Sequence, residues 1–172
     1  MKILLKTIDA LCVAGAVVAA LCAAALAVIL IIEVVATSFF AWSQPWAVEY
    51  SGYLLAATLF CGSGWTLRDA GHVRVQVLTN LLPPGAQRAA DMLGAAFALG
   101  VACFASWSMV EYAVRSAGFG STSVFPTRTP LVYPQGLLAA GLVVLTLGLL
   151  ARLIRLIRGE APETSGAEET HI

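Results

Sequence analysis

Four long apolar stretches, separated by short polar segments, dominate the pattern of this chain. Charged residues are absent from the stretches 10–32, 50–67, 92–110 and 129–151. A helix needs roughly 20 residues to cross the ~30 Å hydrocarbon core of a bilayer, and backbone groups in lipid must bond within their own segment. The pattern therefore predicts four transmembrane helices, at about residues 8–35, 47–68, 88–112 and 130–155.

The composition agrees with an all-α integral membrane protein. The 172 residues are 59% hydrophobic and 12% charged, whereas a soluble domain has about 25% charged residues. The formal net charge is zero, which gives no support for a nucleic-acid partner. The first apolar stretch is longer than the core of a cleaved signal peptide, so we expect it to remain as a span.

The basic residues predict the orientation, because lysine and arginine concentrate on the cytoplasmic side of membrane proteins. Eight of the ten fall in segments on the same side as the N-terminus, namely Lys2, Lys6, Arg68, Arg74, Arg88, Arg152, Arg155 and Arg158. Only Arg115 and Arg128 fall on the opposite side. Both termini are therefore predicted to be cytoplasmic.

Two segments outside the spans have patterns of their own. Val73, Val77 and Leu81 share one helical face, which predicts a short interfacial helix between the second and third spans that ends at Pro83. Residues 159–172 combine glutamates with Pro, Ser, Thr and Gly, a composition typical of disorder. The chain thus divides into a membrane domain, 1–158, and a disordered cytoplasmic tail, 159–172.

No residue pattern indicates catalysis, a cofactor or a metal. The two histidines, His72 and His171, lie outside the spans, whereas a membrane haem protein places paired axial ligands within them. The four cysteines, at 12, 22, 61 and 103, form no Cys-x-x-Cys pair, and we interpret them as small buried apolar residues. The chain is predicted not to be an enzyme.

Glu33 is the acidic residue most deeply placed in an apolar stretch. An ionisable group in a membrane is a functional hypothesis by default. We favour structural pairing with another subunit or a basic partner, and an ion or proton role remains the alternative. Gly62, Ser63 and Gly64 lie inside the second span, where small residues let helices approach closely.

Several short motifs occur in an order that resembles the small permease subunit (DctQ-like) of tripartite ATP-independent periplasmic (TRAP) transporters. The resemblance covers roughly residues 8–155. The motifs are Trp46-Ala47-Val48-Glu49, then Gly62, then Arg68-Asp69-Ala70-Gly71-His72-Val73-Arg74, then Leu82-Pro83, and finally the Pro-containing segment from Thr129 to Gln135.

The resemblance implies a multi-pass protein of the bacterial inner membrane that scaffolds a large permease. That permease would take up an organic acid or similar solute with sodium, and a periplasmic binding protein would deliver the solute. The remaining contacts would be with membrane lipids. The residues expected to anchor the chain to its partner or to the interface are Trp46, Glu49, Gly62, Arg68, Gly71, His72, Arg74 and Pro83. The alternative functions are a homo-oligomeric four-helix channel and a small membrane redox protein.

Overall fold

The computed structural model of this chain describes residues 2–68 and 84–158, and these residues fold into helices. The helices are α1 (Lys2–Phe40), α2 (Pro45–Arg68), α3 (Pro84–Phe119) and α4 (Val132–Arg158). Within the described ranges, β structure is limited to one isolated bridge between Thr122 and Pro130. The predicted all-α class is confirmed. The predicted interfacial helix and the tail lie outside the described residues.

Three of the helices, α1, α3 and α4, are long and apolar enough to cross a membrane. Helix α2 is not among them, because its 24 residues include a carboxylate, several hydroxyls and glycines. The helices extend beyond the predicted spans at most of their ends. At about 1.5 Å per residue, the 39 residues of α1 measure roughly 58 Å, well beyond a bilayer's hydrocarbon core.

The ends of the helices follow local sequence signals. Pro45 opens α2, a position where the missing N–H of proline costs nothing. Helix α3 ends at Phe119, and the next residue, Gly120, has a φ of 60° in the left-handed region. There Gly120 N–H bonds the Ala117 carbonyl at 3.4 Å, and Ser121 N–H bonds the Ser116 carbonyl at 3.0 Å. These two bonds form a Schellman cap.

Helix α2 lies between α1 and α4, and α3 packs against α4. The order of the contacts along each helix shows which helices run parallel and which run antiparallel. Gly141 of α4 lies beside Phe60 of α2, and Gly148 lies beside Leu67, so α2 and α4 run parallel. Helix α3 runs antiparallel to α4, because Ser106 bonds Thr146 while Ala102 clusters with Leu149.

The tightest packing in the bundle surrounds the backbone of α2 at Phe60 and Cys61. A Cβ added to Gly15 of α1 would lie 2.6 Å from the Cys61 carbonyl oxygen, and one added to Gly141 would lie 2.8 Å from the Phe60 carbonyl carbon. Both helices therefore need glycine at these points. Gly64 makes similar contacts, since its added Cβ would lie 3.1 Å from Val144. The expected helix approach at Gly62-Ser63-Gly64 is confirmed.

The surface of the bundle is strongly apolar. Helix α3 exposes Phe97, Phe104 and Trp107, each about three-quarters accessible, while its opposite face buries Ala102 against Leu149. This surface suits lipid or another membrane protein. The cysteines follow the prediction only in part, because Cys12 and Cys61 are buried, Cys22 is half-buried and Cys103 is exposed. Cys103 lies on the exposed face of α3.

Candidate functional site at the loop end of the bundle

Many of the polar side chains that form hydrogen bonds within the described residues lie at one end of the bundle. We call it the loop end, and it comprises the ends of α1 and α3, the α1–α2 turn (41–44), the α3–α4 loop (120–131) and the first turns of α2. The opposite end, formed by the start of α1 and the last turn of α4, is the terminal end. The two ends differ in chemistry and are considered in turn.

Glu49 is the centre of the loop end. It is the fifth residue of α2, and only 3% of its surface is accessible. Tyr53, one turn further along, donates a hydroxyl hydrogen bond to Glu49 Oε1 at 2.9 Å. The Thr127 hydroxyl donates to Glu49 Oε2 from the α3–α4 loop. The hydroxyls of Ser123 and Thr129 also interact with the carboxylate.

The loop that reaches Glu49 is ordered by its own backbone. Ser123 N–H bonds the Thr129 carbonyl at 2.9 Å, and Leu131 N–H bonds the Ser121 carbonyl at 3.0 Å. Arg128 sits in the left-handed region with a φ of 47°. Such a φ is uncommon for a residue with a side chain, so the surrounding hydrogen bonds must hold it. The loop is therefore a defined structure that presents its hydroxyls to α2.

Glu33 accepts a separate set of hydrogen bonds at the same end. Its carboxylate accepts hydrogen bonds from the Ser43 hydroxyl at 2.8 Å and from Gln44 N–H at 3.1 and 3.2 Å. Gln44 immediately precedes α2, where free N–H groups and the helix dipole favour a negative charge. The partners of Glu33 are thus neutral donors of its own chain. The described contacts of Glu33 therefore include no basic partner, and the expected pairing with another subunit remains a prediction.

Trp46 lies beside Glu49 in sequence, yet it faces a different environment. Its ring is half-buried, and its indole N–H donates to Gln44 Oε1 at 3.0 Å. Trp46 also packs edge-on against Tyr50, with the ring centroids 6.3 Å apart. Among the residues expected to anchor the chain, Trp46 and Glu49 therefore lie in the first turns of the same helix but face different surroundings. Glu49 points into the protein, and Trp46 lies at its surface.

The other expected anchoring residues lie elsewhere. Gly62 faces α1, and a Cβ added there would lie 3.3 Å from Ala19 Cβ. Arg68 is the last residue of α2, which places its backbone roughly 29 Å along the helix from Glu49. Gly71, His72, Arg74 and Pro83 lie outside the described residues, so their expected roles remain predictions.

The terminal end contains an ion pair that the sequence reasoning missed. Arg155 Nη2 lies 2.8 and 3.1 Å from the two carboxylate oxygens of Asp9, and both side chains are 20% exposed. The sequence places both groups at the same side of the membrane domain. Nothing in it indicates that α1 and α4 are neighbours there.

The hydroxyl partners of Glu49 were also missed. Ser123, Thr127 and Thr129 lie in a segment that reads as an irregular connection. In the sequence, these contacts were indicated only by the number of hydroxyl residues in a segment close to a predicted span. Over residues 2–68 and 84–158, no group of three or more His, Cys, Asp or Glu residues could hold a metal ion.

Comparison with known proteins gives one informative result. No significant match to the chain was found among curated proteins or solved structures. A protein-family model does match, and its description is "Tripartite ATP-independent periplasmic transporters, DctQ component". The match runs over residues 26–159, which include the end of α1 and all of α2, α3 and α4. The chain therefore belongs to the DctQ component family of the tripartite ATP-independent periplasmic transporters.

Proposed function

We propose that this chain is the small membrane subunit that scaffolds the large multi-span permease of a TRAP transporter. The complete system would take up an organic acid or similar solute with sodium, after delivery by a periplasmic binding protein. The family match over residues 26–159 carries this proposal. As a transporter component, the chain has a binding role and no reaction of its own to perform.

One groove on the described surface suits an apolar contact better than an organic anion. A groove of about 470 Å³ lies along the end of α1. An organic anion would require hydrogen-bond donors or a positive charge in its binding site. The groove instead has a nearly wholly apolar lining, formed by Ile31, Ile32, Val35, Ala36, Phe40, Trp42 and Gln44. The aromatic face of α3 similarly suits contact with another membrane protein.

We further propose that all four helices cross the bacterial inner membrane, with both termini in the cytoplasm. Helix α2 is packed between α1 and α4, which are both long enough to span, so α2 would cross beside them. Arg152, Arg155 and Arg158 lie at the terminal end, consistent with a cytoplasmic location. The loop end would then face the periplasm.

Within this arrangement, the inner anchor is proposed to be the segment from Arg68 to Arg74, with Gly71 and His72 between them and Pro83 after it. Its arginines would contact headgroups or the permease. At the loop end, Trp46 would supply the interfacial contact. Glu49 would act there by holding the loop, and Gly62 by keeping α1 close.

The decisive experiment is affinity purification of the tagged chain from its native membranes in mild detergent, followed by mass spectrometry. We expect a much larger multi-span protein to co-purify at equal stoichiometry. Recovery of the chain alone as a stable homo-oligomer would favour the channel alternative instead. A visible haem or flavin spectrum in the purified sample would favour the redox alternative.

A variant tests the inner anchor in the same assay. The double change Arg68→Gln and Arg74→Gln is expected to reduce recovery of the large permease, while the amount of inserted chain stays constant. The matched control is Arg115→Gln with Arg128→Gln, which removes the same charge from the loop end. Equal recovery in all three samples would contradict the anchoring role.

A further inference from the structure

The Glu49 carboxylate is a buried charge that only neutral groups surround. Its accessible surface is 3%, and its partners are the hydroxyls of Tyr53, Ser123, Thr127 and Thr129. Among the described residues, no lysine, arginine or histidine forms an ion pair with it. Hydrogen bonds from neutral hydroxyls favour the charged form of a carboxylate, yet a buried charge is still costly when no opposite charge lies near it.

Neither the N–H group before α2 nor the arginines near this end pair with Glu49. The Gln44 N–H before α2 bonds Glu33 rather than Glu49. Arg115 pairs with Glu111 one turn away. Arg128 belongs to the same loop as Thr127, yet its side chain is exposed and makes no ion pair with the carboxylate. The negative charge of Glu49 therefore has no counter-charge in the described part of the chain.

The atoms around Glu49 form a set of hard oxygen ligands from two elements. Helix α2 contributes the carboxylate, and the loop contributes the hydroxyl oxygens of Ser123, Thr127 and Thr129. A hydroxyl that donates its hydrogen to the carboxylate keeps lone pairs that can bind a cation. Oxygen ligands of this kind suit alkali and alkaline-earth ions rather than transition metals.

The charge of these oxygen ligands distinguishes an alkali ion from an alkaline-earth ion. Calcium sites of useful affinity generally combine several carboxylates with carbonyl oxygens, whereas this cluster offers a single carboxylate. One negative charge with several neutral oxygens balances one positive charge.

Further hydrogen bonds hold the loop residues of this cluster in place. Tyr50 bonds the Thr129 hydroxyl at 3.2 Å, and Ser123 N–H bonds the Thr129 carbonyl at 2.9 Å.

We propose that Glu49, together with the hydroxyl oxygens of Ser123, Thr127 and Thr129, forms a binding site for one alkali-metal cation, Na⁺ or K⁺. The bound ion neutralises the buried carboxylate and holds the α3–α4 loop against the first turns of α2. This site is a property of the isolated chain. It can exist whether or not the chain scaffolds a permease.

Equilibrium binding of ²²Na⁺ to the purified full-length chain in detergent tests the proposal directly, with choline chloride maintaining the ionic strength. We expect saturable binding of one ion per chain, and competition with unlabelled KCl ranks the two cations. Thermal unfolding in NaCl, KCl and choline chloride gives a second readout. At a cation concentration tenfold above Kd, the unfolded-to-folded ratio should fall about 11-fold.

Variants locate the site. Glu49→Gln should abolish both effects, and Thr127→Val should weaken binding at least tenfold even if Glu49→Gln fails to fold. Two matched controls should bind as the unaltered chain does. Glu33→Gln removes the other carboxylate of the loop end, and Thr122→Val removes an exposed hydroxyl of the same loop.

Three results would overturn the proposal. The first is a folded, unaltered chain that binds no ²²Na⁺ and unfolds at the same temperature in all three salts. The second is undiminished binding by a folded Glu49→Gln variant. The third is undiminished binding by Thr127→Val. Because none of these measurements involves the large permease, their outcome is independent of the co-purification result.

Discussion

Asp9 and Arg155 are separated by almost the entire described chain, yet Arg155 Nη2 lies 2.8 Å from an Asp9 carboxylate oxygen. The contact joins the first helix to the last at the terminal end of the bundle. Helices α1 and α4 share a smaller interface than α2 shares with either of them. The ion pair therefore reinforces the place where the bundle closes on itself.

The Asp9–Arg155 pair should contribute measurably to stability, because both side chains are only 20% exposed and the hydrogen bonds are charge-assisted. A double-mutant cycle with Asp9→Asn and Arg155→Gln should give a coupling free energy of about 1–2 kcal/mol. Reversible unfolding in mixed micelles would measure it. The exposed pair of Glu111 and Arg115 is the control, with an expected coupling below about 0.5 kcal/mol. Equal couplings for the two pairs would contradict this prediction.

The close approach of α4 to α2 predicts a large effect of a single methyl group. In Gly141→Ala, the new Cβ would lie 2.8 Å from the Phe60 carbonyl carbon. Backbone atoms cannot rotate aside, so the helices must separate, at a cost of about 1–3 kcal/mol in unfolding free energy. Gly136→Ala is the control on the same helix, because nothing lies within 4 Å of its Cβ position.

The control variant, Gly136→Ala, has an expected effect on stability of its own. Alanine favours a helix over glycine by roughly 0.5–1 kcal/mol, so Gly136→Ala should leave the stability unchanged or increase it. Unfolding titrations of the two variants in one detergent provide the comparison. Destabilisation of both variants to the same extent would mean that contact with α2 is not the cause.

Glu33 allows its structural and ionic interpretations to be separated. Glu33→Gln replaces charge-assisted hydrogen bonds from Ser43 and Gln44 with neutral ones, which should lower the unfolding free energy by about 1 kcal/mol. The variant should still support solute uptake by the reconstituted transporter, because its role is to hold the start of α2. Full stability with loss of uptake would instead establish an ion or proton role.

A partly buried pair of hydroxyl groups joins α3 to α4, and its removal should have a small effect on stability. Ser106 Oγ and Thr146 Oγ1 are 2.8 Å apart, and Thr146 donates to the Leu142 carbonyl, which leaves Ser106 as the donor between the helices. Ser106→Ala should therefore cost about 0.6 kcal/mol, the usual size for such bonds in membranes. Ser108→Ala, at an exposed position, should cost less. Unfolding midpoints measured in parallel would decide, and an unchanged midpoint for Ser106→Ala would argue against the bond.

Sequence alone was sufficient for the class of fold, the approximate positions of the helices and the family. Long uncharged stretches must become helices in lipid, because each backbone group has to bond within its own segment. Local signals also placed some ends approximately, since the fourth span was predicted to begin at about residue 130 and α4 begins at Val132. These features are readable because their physical causes lie within a few residues of one another.

Only the tertiary structure decided which faces of the helices meet. The helices are apolar on nearly all sides, and since lipid is as apolar as a neighbouring helix, no amphipathic pattern marks the contact face. Gly15 and Gly141 look like other glycines until both lie against the backbone at Phe60 and Cys61. Glu49 likewise resembles an interfacial residue until Thr127, 78 positions away, bonds its carboxylate. Such pairings depend on how the whole chain folds back on itself, which no local segment encodes.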